Sequence, residues 1–136
     1  TGLKPKGPIL SQTFTAASAS IHAGLAAIRE LKSRDCFGPH GWNMRRHQHW
    51  VKRMEDLRAR YPGKISGPYG EGMMLAFTPG DGDAAKANDL TIKLFELGLM
   101  GFLAGSNPTR LRFLPSPAVA TEQHIDMACD IIESTL

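Results

Sequence analysis

The sequence lacks any apolar run near the roughly 20 residues that a membrane-spanning helix needs. Its longest candidate, Gly98 to Ala104, is broken by Gly101. Cysteine is scarce as well: Cys36 and Cys129 are the only two among 136 residues, too few for a disulfide scaffold. A reducing, cytoplasmic setting is the simpler expectation. Charge of one sign is not in large excess, because 16 Lys+Arg against 13 Asp+Glu leave a net +3. That is far from the footprint of an obligate nucleic-acid binder. With 42% hydrophobic and 21% charged residues, the chain is neither disordered nor a coiled coil. It opens on Thr1-Gly2, with no Met and no signal-like segment, and is expected to be a fragment of a longer chain.

Several chemical signatures are missing too. Gly67-Pro68-Tyr69-Gly70-Glu71-Gly72 lacks the Gly-Lys-Ser/Thr ending of a phosphate-binding loop and does not sit between a strand and a helix, as a dinucleotide fingerprint must. No serine lies in a Gly-x-Ser-x-Gly frame. His47 and His49 are two residues apart on a predicted helix, so they point to different sides and cannot easily chelate one metal. Cys36 and His40 are followed by no second ligand pair, so no metal site is expected.

The residues that are present divide into a lead-in and one domain. Residues 1–14, with Pro and Lys among the first dozen, read as an extended lead-in; 15–136 read as a single α+β domain. A first helix is predicted over about 15–35, with Ile21, Leu25, Ile28 and Leu31 in a stripe and many small residues on its flank. Burial of that stripe is the default expectation.

A second helix runs from about Asn43 to Tyr61, with Val51, Met54, Leu57 and Tyr61 inward, and Pro62-Gly63 stops it. Its basic residues Arg45, Arg46, Lys52, Arg53, Arg58 and Arg60 are interleaved with Glu55 and Asp56, which suits a solvated face better than a nucleic-acid groove. Extended stretches broken by glycines follow between Lys64 and Pro79.

A third helix at Ala84–Leu97 uses Ala87, Leu90, Leu94 and Leu97 as its inner face and has Gly98 just beyond it. Strands at Leu99–Leu103 and Arg110–Leu114 come next. Thr121 then caps a last helix, whose inner face is Ile125, Ala128, Cys129 and Ile132. The order predicts helices packed on one side of a small, mainly antiparallel sheet.

Arg110-Leu111-Arg112-Phe113-Leu114 is the most informative strand. Its two-residue period sends Arg110 and Arg112 to one face and Leu111 and Phe113 to the other. A guanidinium held on a rigid strand presents a planar fork to a carboxylate. The plainer alternative is a surface ion pair.

Read in order, Gln12-Thr13-Phe14-Thr15, Gly70-Glu71-Gly72-Met73-Met74-Leu75, Leu111-Arg112-Phe113-Leu114-Pro115, Val119-Ala120-Thr121-Glu122 and Ile125-Asp126 resemble the C-terminal part of class III aminotransferases. This pyridoxal 5′-phosphate (PLP) family includes the acetylornithine, ornithine and 4-aminobutyrate enzymes. Thr15-Ala16-Ala17-Ser18 departs from the Gly-Asn-Pro stretch usual after the family's threonine and aromatic residue.

The resemblance implies the small C-terminal domain of a fold-type I PLP enzyme. It assigns Thr13 to the PLP phosphate of a neighbouring subunit and Arg112 to the substrate carboxylate. The parent is then expected to be a homodimer whose large domain, missing here, carries the Schiff-base lysine. It would pass an amino group from an amino acid or amine to a 2-oxo acid, and this chain alone would contribute no catalytic residue. The alternative is a free-standing, non-enzymatic α+β module that binds an acidic ligand or protein through Arg110, Arg112 and the basic second helix.

Overall fold

The computed structural model describes residues 17–136, so the expected lead-in at 1–14 lies outside the described residues. Its elements are α1 (Ser18–Ser33), α2 (Trp42–Arg60), β1 (Ile65–Glu71), β2 (Met74–Pro79), α3 (Ala84–Glu96), β3 (Phe102–Ala104), β4 (Arg110–Phe113) and α4 (Glu122–Glu133). The strands form one sheet in the order β1-β2-β4-β3, and every neighbouring pair is antiparallel. No described helix is long and apolar enough to cross a membrane.

The glycine-broken stretch resolves into a hairpin. Glu71 faces Met74 across a two-residue loop in which Gly72 takes φ 58°, a conformation that tight hairpins reserve for glycine. Close approach fixes Gly70, because a Cβ there would stand 1.9 Å from the Met74 carbonyl oxygen. A bulge between Ser66 and Tyr69 bends β1, and Arg58 of α2 donates to the Gly67 carbonyl at 2.8 Å across that bend.

Three helices cover one face of the sheet. Trp50, Met54 and Leu57 of α2, Ala87 and Leu94 of α3, and Ile125, Cys129 and Ile132 of α4 meet Ile65, Leu75, Phe77, Leu111 and Phe113 in a single core. Phe113 lies at its centre, edge-on to Trp50 and stacked on Phe77. The inner faces expected for α2 and α4 are therefore seen, although Ala128 is only half-buried. Leu97, expected inside, is exposed, since α3 ends at Glu96 and Gly98 turns the chain away at φ 93°. The strand expected at Leu99–Leu103 begins only at Phe102.

The first helix departs most from expectation. It forms where predicted, yet none of its residues is buried, and Ile21, Leu25 and Ile28 stand exposed. Its apolar period is regular, but among the described residues only Leu31 of the stripe is even half-covered.

The basic face of α2 is also not simply solvated. Arg53 binds Asp126 at 2.5 Å and Asp130 at 2.6 Å, both on α4, and His49 Nε2 donates to Asp126 at 2.8 Å. One turn further on, Arg60 and Tyr61 both bond Glu133. Arg46 is buried against Trp42 and donates to the Pro117 carbonyl. Arg46, Arg53, Arg58 and Arg60 are thus ties between elements. Those of Arg53 and Arg60 escape a sequence reading because the acids on α4 lie more than 70 residues away.

These ties set an acid limit on stability. Burial works against ionisation of Asp126, but the hydrogen bonds from His49 and Arg53 outweigh it and hold the carboxyl below its usual range. Arg60 and then Tyr61 do the same for Glu133. A carboxyl with a depressed folded-state pKa stabilises above its unfolded value, about 4, and loses that contribution as pH falls through the lower folded value. Stability should therefore be flat from neutral pH to about 4 and fall below it. Asp126→Asn should cost about 1 kcal/mol at pH 7, screening included, and flatten the acid limb. Urea denaturation at stepped pH checks both; an unchanged acid limb in the variant would remove Asp126 from the clasp.

Candidate functional site

The face of the sheet away from these helices carries both arginines of β4. Register places Tyr69 of β1, Ala76 of β2, Arg112 of β4 and Phe102 of β3 in one cross-strand row. Arg110 lies two residues along β4, beside Ala104 of β3 and next to Thr78 of β2. The alternation expected for β4 is present, with Leu111 and Phe113 buried and Arg110 and Arg112 half-buried.

Neither guanidinium belongs to an ion pair among the described residues, where the ionic contacts all involve other groups. The Nε atoms of both arginines are buried without an acceptor, as is the hydroxyl of Thr78, whose residue is only 4% exposed. Arg110 crosses β2 to stack on Tyr69, its guanidinium carbon 4.4 Å from the ring centre. That stacking fixes the plane of one fork and roofs Thr78 and Ala76.

The plainer alternative of a surface ion pair is thus not seen among the described residues. What the structure presents is two guanidiniums on one face of a strand, Arg110 stacked on Tyr69 and Arg112 in no ion pair. Tyr69 and Thr78 were missed in the sequence, because a single tyrosine among glycines and a single threonine in a strand carry no pattern until register brings them beside Arg110.

Thr13 lies outside the described residues, so the structure does not bring it to Arg112. His47 and His49 diverge, one donating to the Gly72 carbonyl at 3.1 Å and the other to Asp126. No group of three His, Cys, Asp or Glu side chains among the described residues could hold a metal. Cys36 and Cys129 are free and buried, and burial pushes the Cys129 thiol up to about 12, away from thiolate chemistry.

Comparison with solved structures finds the same fold within aminotransferases. A mutant of Rv3290c from M. tuberculosis superposes with a TM-score of 0.78 at 21% identity, over 92% of this chain and 27% of that one. An acetylornithine aminotransferase from Elizabethkingia anophelis gives 0.63 at 23%, over 98% and 31%. A lysine aminotransferase from M. tuberculosis gives 0.62 at 23%, over 80% and 23%. The fold is that of an aminotransferase C-terminal domain. The chain spans about a quarter to a third of the length of these proteins. No family model and no curated protein matches the sequence.

Enzymes of that fold that use PLP attach it to a lysine, and the described residues do not fit that need. Lys32, Lys52, Lys64, Lys86 and Lys93 are all exposed, and Lys86 is tied to Asp81 at 3.0 Å. None lies on the row that carries Arg112.

The stacking of Arg110 on Tyr69 is open to measurement. Tyr69→Leu should lower stability by about 0.5–1 kcal/mol, as expected for a half-exposed cation–π pair. The loss should nearly vanish when Arg110 is already Gln. A double-mutant cycle by chemical denaturation reads this coupling, and a value of zero would show that Tyr69 does not hold the guanidinium.

Proposed function

We propose that this chain is the C-terminal domain of a class III, PLP-dependent aminotransferase and that Arg112 binds the substrate carboxylate. The observation that carries the reading is the lone, half-buried guanidinium of Arg112 on a face no described helix covers, in a domain of aminotransferase fold. A planar fork on a strand with its Nε against the sheet leaves its outer nitrogens to make two parallel bonds to a carboxylate. Leu111 and Phe113, locked into the core on either side, stop the strand from rotating and so fix where that carboxylate sits.

Thr13 is assigned to the PLP phosphate of a neighbouring subunit in a homodimer, on the strength of the resemblance at Gln12-Thr13-Phe14. PLP supplies the electron sink for moving the amino group, and the lysine that holds it belongs to the large domain of the parent enzyme. The role of this chain is to bind and orient the amino acid and 2-oxo acid substrates. It is inactive by itself.

In the parent enzyme, Arg112→Ala should raise KM for a carboxylate-bearing substrate at least about thirtyfold, the lower end of the 2–5 kcal/mol lost when one partner of a desolvated charge pair is truncated. Steady-state kinetics measures it, and unchanged KM and kcat would remove Arg112 from the site. The 136-residue chain mixed with PLP and reduced with borohydride should show no lysine labelled stoichiometrically by peptide mass spectrometry. Full labelling of one lysine would place the covalent chemistry in this chain and overturn the division of labour proposed here.

A further inference from the structure

Arg112 has unlike neighbours on its two sides. Toward β2 the face is closed, because Arg110 reaches over to the Tyr69 ring and roofs Ala76, which is buried. Toward β3 it is open. Phe102 is the partner of Arg112 in the antiparallel pairing of β3 with β4, and side chains of directly opposed residues leave the same face with their Cβ atoms about 5 Å apart. Phe102 is nevertheless 49% exposed. Among the described residues no aromatic ring and no guanidinium packs on it.

The place of this ring is fixed by the same residue that fixes the arginine. Gly101 lies so close to the core that a Cβ there would stand 2.8 Å from Phe113 Cε1, and Phe113 is the buried neighbour of Arg112 in the alternation of β4. One core ring thus sets where β3 begins and how β4 is turned. The Phe102 side chain is held beside the Arg112 fork by the backbone on both strands, not by contacts of its own.

A carboxylate gripped by Arg112 carries its α-substituent into this setting. A cationic substituent would meet the charge of Arg110, and a second acid would find that guanidinium already stacked on Tyr69. An apolar substituent finds an open hydrocarbon ring, and burying the two against each other removes apolar surface from water. We propose that Phe102 is a specificity-determining residue of the substrate site, an apolar wall that favours amino acids and 2-oxo acids with aromatic or branched apolar side chains. The inference rests on the assignment of Arg112 to the substrate carboxylate.

The test is calorimetric binding of three unreactive carboxylates, propionate, 3-phenylpropionate and glutarate, to the parent enzyme with its cofactor bound. The expected result is that 3-phenylpropionate binds about twofold to tenfold tighter than propionate, the range of one ring-on-ring contact, and that glutarate gains no such advantage. Phe102→Ala should bring the ratio of 3-phenylpropionate to propionate close to one, and Phe102→Leu, which keeps an apolar side chain, should retain part of it. An unchanged ratio in folded Phe102→Ala, or an equal loss on all three ligands, overturns the proposal and leaves the assignment of Arg112 standing. Tightest binding by glutarate, lost in Arg110→Gln, overturns it in favour of a second acid group read by Arg110. Binding of all three that Arg112→Ala leaves unchanged overturns the Arg112 assignment itself, and the role of Phe102 with it.

Discussion

The two-sidedness of β4 is the constraint on which the rest of the molecule turns. Four residues, Arg110 to Phe113, must alternate between a core and a polar face, and a slip of one residue would bury two guanidiniums and expose Leu111 and Phe113. No core could absorb that exchange, so the register with β2 and β3 is held by the same side chains that hold the helices. Phe113 meets Trp50 and Phe77 on one side, while Arg112 faces Ala76 and Phe102 on the other. The precision of the arginine is thus a product of packing and not of any bond that the arginine itself makes.

Behind the sheet, the ionic clasp between α2 and α4 does a different job. Half-exposed pairs of this kind contribute little each, and hydrophobic burial along Met54, Leu57, Cys129 and Ile132 supplies the larger share. What the clasp adds is alignment. Arg53 spans Asp126 and Asp130, and Arg60 reaches Glu133, so the two helices are fastened at successive turns and cannot slide past one another. A fixed helix pair keeps Trp50 against Phe113, and so steadies the strand that carries Arg112.

The sequence shows whatever depends on short-range periodicity. The α2, α3 and α4 helices, the cap at Thr121, the turn at Gly98 and the alternation of β4 all rest on residues within a few positions of each other, and all are present. What required distant partners was hidden. The hairpin at Gly72 passed for a broken strand because Gly67, Gly70 and Gly72 each do something different: a bulge, a close approach and a turn. Arg53 and Arg60 of α2 read as solvated because Asp126, Asp130 and Glu133 are on α4. Tyr69 and Thr78 entered the site only through register. The half-exposed place of Arg112 was legible in the alternation of β4, whereas the roles proposed for Arg112 and Thr13 rest on the family resemblance.

The helix α1 marks the limit of what periodicity can say. Its stripe of Ile21, Leu25 and Ile28 is as regular as that of α2, yet α2 is buried and α1 is not. An isolated helix of this length is marginal in water, and helices in proteins owe most of their stability to packing of an apolar face. The polar face of the sheet shows a similar imbalance in charge, with two guanidiniums that join no ion pair among the described residues and Glu71 as the acid its strands carry. The chain spans about a quarter to a third of the aminotransferases whose fold it shares, and on the proposed reading a single cause accounts for both surfaces: the large domain of the parent enzyme would cover α1 and would bring the reacting half of the site to Arg112.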